Sequence, residues 1–111
     1  MSARLKKNLP LLQKLFKSKP AKRSEILKEG DSELLKCLCE CALNLLNANI
    51  PLNKRQVSTL EKHKTLLRLL ANRKVSLKSK KSKLLRQGGA FILALLRPIL
   101  SAVVANLIVL A

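Results

Sequence analysis

The stretch GDSELLKCLCECALNLLNANIPLNKRQVSTLEKHKTLLRLLA, residues 30–71, decides the fold. Gly30, Asp31 and Ser32 read as a stop followed by a helix cap. Leu34, Leu38, Cys41 and Leu45, flanked by Leu35, Ala42 and Leu46, then form an apolar stripe at helical spacing. This spacing predicts a helix from about Glu33 to about Ala48. Asn49, Ile50, Pro51, Leu52 and Asn53 read as a turn, with Asn53 the cap of a second helix. Its apolar positions are Val57, Leu60, Leu67 and Leu70, supported by Leu66 and Ala71. A short connection between two amphipathic helices favours an antiparallel hairpin with its leucines facing inward.

Outward from the hairpin, charge divides the chain. Residues 1–24 hold eight basic residues and no acid, whereas residues 25–53 hold Lys28 and Lys36 against five acids. Residues 54–86 hold twelve basic residues and only Glu61, and beyond them Arg97 is the only charge. With 111 residues the chain has room for one small domain and is too short for a large catalytic fold. A net charge of +17 works against compactness unless a polyanion neutralises it, so a polyanionic partner is implied. The 48% hydrophobic content excludes a purely disordered basic tail. Phe16 and Phe91 are the only aromatics, so the stacking platforms of single-strand and sequence-reading RNA binders are missing and contact is expected to phosphates.

In the arm, Leu5, Leu9, Leu12, Leu15 and Phe16 recur at spacings of three and four among lysines. They predict a short amphipathic helix started or interrupted near Pro10 and ended at Ser18, Lys19 and Pro20. Lysines scattered from Lys6 to Lys22 leave no apolar core for a secretory signal peptide, so none is expected. The second hairpin helix displays Lys54, Arg55, Lys62, Lys64, Arg68, Arg73 and Lys74, with Glu61 alone available for pairing. The string from Val75 to Arg86 reads as flexible and basic, with Ser76, Ser79 and Ser82 at spacing three and Lys78, Lys80, Lys81, Lys83 and Arg86 as phosphate contacts or a nuclear-localisation signal. Gly88 and Gly89 break the chain, and residues 90–111 are nearly all apolar. Twenty-two helical residues span about 33 Å, enough for a bilayer core of roughly 30 Å. Arg97 inside the run costs about 2.5–3.5 kcal/mol at a membrane centre, and Pro98 follows it. Outside a membrane such a segment must pack on the hairpin or on another protein.

The inventory of chemical groups is thin. His63 sits between Lys62 and Lys64 with no carboxylate to orient it, the setting of a surface helix residue. Cys37 and Cys41 share a helix face while Cys39 points away. That spacing suits buried small hydrophobes better than a four-ligand zinc site, and an odd count suits a reducing compartment better than a disulfide framework. Glu25, Glu29, Asp31 and Glu33 read as helix-end charge and caps, and no Gly-rich phosphate loop or nucleophile elbow is present. No enzyme activity, cofactor, metal or small-molecule substrate is expected.

The order of the last segments, cations from Arg73 to Arg86, then Gly88 and Gly89, then an apolar run from Phe91 to Leu110 containing Pro98, resembles the precursors of the small adenovirus core protein called mu or X. Related short proteins occur in adintoviruses and in Maverick or Polinton elements. The resemblance covers roughly residues 54–111. It implies a virion component that condenses packaged double-stranded DNA in the virion and host nucleus, with Gly88 and Gly89 as a candidate processing site.

The expectation is therefore an all-α protein: a basic amphipathic arm over 1–24, an antiparallel helical hairpin over 25–74, a flexible basic segment over 75–87, and a separate apolar C-terminal helix over 88–111. Double-stranded DNA is the expected partner, with a membrane or capsid-protein contact through residues 90–111. The rival is a tail-anchored or membrane-active protein whose basic flank lies on anionic lipid. A helix-turn-helix regulator ranks lower, because the second helix does not begin with the Asn, Gln and Arg cluster that reads bases.

Overall fold

The computed structural model describes residues 3–87 and 89–104. Gly88 of the candidate processing site and the apolar residues 105–111 lie outside the described residues. Asp31 does cap the predicted helix: its side chain accepts from the Leu34 amide at 3.1 Å, and α3 runs Ser32–Leu46. Gly30 allows the tight entry to this helix, since a Cβ there would lie 2.6 Å from Leu34 Cδ2. The helix stops where the Asn47 amide donates to the Leu43 carbonyl at 2.9 Å and Ala48 takes a positive φ of 55°. Asn53 likewise starts the next helix through a reciprocal box. The Gln56 amide donates to Asn53 Oδ1 at 2.8 Å, and the Asn53 amide donates to Gln56 Oε1 at 3.0 Å.

All elements among the described residues are helices: α1 Ala3–Lys17, α2 Pro20–Glu29, α3, α4 Lys54–Glu61, α5 Lys64–Ala71, α6 Leu77–Gln87 and α7 Gly89–Val104. The single second helix expected from Asn53 to Lys74 is two helices, broken at Lys62 and His63. The break lets α5 lie along α3, the most extensive helix pairing among the described residues, while α4 lies against α7. The arm helix α1 continues through Pro10, held on both sides of it by the buried Leu5, Leu12 and Leu15. After the arm helix comes one that the apolar pattern does not announce, α2, which crosses the boundary expected between residues 24 and 25, with Pro20 in its first turn and Leu27 and Arg23 buried.

Two further expectations are corrected. The basic segment 75–87 is not a flexible strand. Asn72 organises the turn before it, with the Lys74 amide donating to Asn72 Oδ1 at 3.0 Å, and Ser76 Oγ accepts from the Ser79 amide at 3.2 Å as α6 begins. Nor does the apolar helix stand apart. Phe91, Ile92, Leu95, Leu96 and Ile99 are fully buried, and α7 packs against α1, α2, α3, α4 and α6. Burial of each of these five side chains is worth on the order of 1.5–3 kcal/mol. An exposed α7 would forgo a gain comparable to the whole stability of a small domain. Leu5, Leu27, Leu38, Leu60, Leu70, Leu84 and Leu95, one from each helix, belong to a single core cluster. The molecule measures 31 × 29 × 28 Å.

Candidate nucleic-acid interface

Exposed cations line α4, α5, α6 and the turns between them. Lys54 and Arg55 lie in the first turn of α4, and Lys62 in the break after it. Lys64 and Arg68 are one turn apart on α5, opposite the buried Leu66, Leu67 and Leu70. Arg73 and Lys74 occupy the turn into α6, and Lys78, Lys83 and Arg86 stand on α6 itself; all ten are exposed. Among the described residues there are two ion pairs, Arg4 with Glu33 at 2.9 Å and Lys22 with Glu25 at 3.5 Å. Both involve half-exposed groups of α1, α2 and α3, where such pairs contribute about 0–1 kcal/mol, and neither uses a cation of residues 54–86.

Two residues expected on this surface are placed otherwise. Lys80 is 4% exposed, its Nζ 3.6 Å from Cys39 Sγ on α3, and half-buried Lys81 donates to the Gly30 carbonyl at 3.0 Å. Their stems fill the inner side of α6 beside Leu77 and Leu84, so they fasten α6 to the body of the protein. Arg23 is the other buried cation. Its guanidinium donates to the carbonyls of Leu15 at 3.4 Å, Ser18 at 2.8 Å and Gly89 at 3.3 Å, joining the end of α1 to the start of α7. Gly89, the described half of the candidate processing pair, is thus the first residue of a core helix, and its carbonyl is already held.

In the sequence Arg97 stands out as a cost to membrane insertion. It is the exposed cation of α7, its guanidinium stacked 5.4 Å over the Phe16 ring. With Arg55 and His63 it lines a groove of about 490 Å³ between α4 and α7, whose other walls include Gln56, Thr59, Leu93 and Ala94. The pairing of Arg55 with Arg97 is a tertiary effect, 42 positions apart in the chain, that no local pattern signals. His63 also meets the Phe91 ring at 5.9 Å between centroids.

The cysteines are interior groups. Cys37 and Cys41 are fully buried and Cys39 is partly so. The hydrogen bond from the Cys41 thiol to Cys37 lowers the Cys37 thiol below its ordinary value and, together with burial, pushes Cys41 well above it. Burial raises Cys39, against the pull of the Lys80 ammonium beside it. Among the described residues no group of three or more His, Cys, Asp or Glu is placed to hold a metal ion. No single helix among the described residues is long and apolar enough to cross a membrane. Comparison of the chain with protein-family models, with curated proteins and with solved structures finds no match.

Proposed function

We propose that this chain is a non-enzymatic protein that binds and condenses double-stranded DNA through phosphate contacts, without reading sequence. The supporting observation is the set of ten exposed cations on α4, α5, α6 and their connecting turns, none in an ion pair among the described residues, on a helical body whose core holds them in place. Cations so arranged release the counterions condensed on DNA, and that release is the main source of sequence-independent affinity. Lys80 and Lys81 are not among the contacts, and Arg97, which lines the same groove as Arg55, joins them. The resemblance of residues 54–111 to the mu precursors extends the proposal to DNA packaged in a virion. The membrane-active rival requires the apolar side chains of α7 to leave the core.

Salt titration of duplex binding tests this reading. With about six to ten phosphates neutralised, affinity falls by about 10³ to 10⁵ between 50 and 200 mM salt, and scrambled duplexes compete equally. A shallow slope, or a strong preference for one duplex, overturns it.

A further inference from the structure

Two serines in this chain have an arginine three residues before them: Ser58 behind Arg55, and Ser76 behind Arg73. Ser76 also has Lys74 two residues before it and the apolar Leu77 directly after. The fold separates the two serines. Ser58 lies inside α4, its backbone closed into the helix, whereas Ser76 ends the non-helical connection 72–76 between α5 and α6. Arg73, Lys74 and Ser76 are all exposed there. Ser79 and Ser82, the other serines of this basic run, lie within α6 and have serines at the third position before them. A protein kinase draws the residues around the acceptor into its cleft as an extended segment, and acidic subsites there select basic residues ahead of the hydroxyl. A surface connection meets that demand by giving up no more than the first turn of α6, whereas Ser58 would require α4 to open in its middle.

We propose that Ser76 is a phosphorylation site in the folded protein, the acceptor for a protein kinase that selects basic residues ahead of the hydroxyl. Ser76 Oγ attacks the γ-phosphorus of ATP, the bond from that phosphorus to the β,γ-bridging oxygen breaks, and ADP leaves. The hydroxyl proton passes to the catalytic carboxylate of the kinase. Ser76 Oγ already accepts from the Ser79 amide at 3.2 Å and donates to Ser79 Oγ at 3.1 Å, and the Ser76 carbonyl accepts from the Lys80 amide at 3.1 Å, so the bonds exchanged are those of the 72–76 turn and the first turn of α6. The product places about −1.5 to −2 charges between Arg73, Lys74 and Lys78, in the middle of the exposed cationic set. The consequence for DNA, weaker binding of the phosphorylated chain, rests on the function proposed above; the acceptor assignment does not.

The test incubates the full chain with the catalytic subunit of a cyclic-AMP-dependent protein kinase and Mg-ATP, without DNA, and locates the label by fragmentation mass spectrometry. Ser76 takes up one phosphoryl group per chain, Arg73→Gln reduces labelling by about tenfold or more, and Ser76→Ala abolishes it. Should Ser76→Ala loosen α6, Ser76→Asn retains a capping oxygen and gives the same loss. Preferential label on Ser58, Ser79 or Ser82, no label at all, or labelling indifferent to Arg73→Gln overturns the assignment. In duplex binding at about 150 mM salt, removal of roughly two net cations weakens affinity about tenfold; equal affinity of the two forms overturns the regulatory part. Label on Ser76 in a chain that binds no DNA in either form overturns the DNA reading and supports the acceptor assignment.

Discussion

Helices α6 and α7 are separated in the chain by Gly88 alone and differ in almost every local property. α6 carries Lys78, Lys80, Lys81, Lys83 and Arg86, while α7 carries only Arg97. Composition reads the first as a flexible strand in solvent and leaves the second to a membrane, to another protein or to the hairpin; in the fold the first is a helix, and the second packs on α3 and α4 as well as on α1, α2 and α6. α6 is a helix held by Leu84, by the stem of Lys80 and by the Lys81 bond to Gly30, whereas α7 packs into the core through five fully buried large side chains. The difference teaches that a charged segment needs only a narrow apolar stripe to order once a core exists. A largely apolar segment supplies much of that core, since burial stabilises in proportion to the apolar area it removes from water.

The sharpest way to break this comparison is a carboxylate on each helix. Leu95→Asp buries an unpaired charge at a fully buried position of α7 and abolishes the cooperative thermal melt followed by circular dichroism. Leu85→Asp, at a site 38% exposed on α6, shifts stability by about 0.5 kcal/mol or less. A sharp melt in Leu95→Asp would return α7 to the separate status that its composition suggests. Next in size is the junction between α1 and α7. Arg23→Met leaves the carbonyls of Leu15, Ser18 and Gly89 without their donor and costs about 1–3 kcal/mol, with faster amide exchange in the last turn of α1 and the first of α7. Exchange unchanged at both ends would show that Arg23 does not join them. The smallest effect sharpens the account of α6. Lys80→Met removes a buried ammonium at similar volume, changes stability by about 1 kcal/mol or less and leaves the salt slope of DNA binding intact; Lys78→Gln and Lys83→Gln each lower that slope by about 0.9. A loss above about 2 kcal/mol in Lys80→Met would show that the contact with Cys39 holds α6 in place.

Several features were legible in the chain because they rest on neighbours a few residues apart. The caps at Asp31 and Asn53 are of this kind, as are the α3 stripe from Leu34 to Leu45 and the cationic set from Lys54 to Arg86. The break between α4 and α5 was not, because Leu60 and Leu67 stand two helical turns apart and keep one phase across it. Helix α2 escaped because its inner face includes Arg23, and α6 because a lysine stem completes the stripe between Leu77 and Leu84. Patterns of apolar letters count both as polar.

The sequence by itself therefore determined that the chain is helical, where its central helices begin and which side chains carry its charge, since propensity, capping and charge are properties of near neighbours. Which cations face solvent follows from packing across the chain, which withdraws Lys80 and Arg23 and puts Arg97 and Arg55 on one groove. The tertiary structure also decided that Phe91, Ile92, Leu95, Leu96 and Ile99 pack into the shared core of the seven helices. Periodicity describes how apolar a helix is, and what covers it depends on surfaces brought together from positions far apart in the chain.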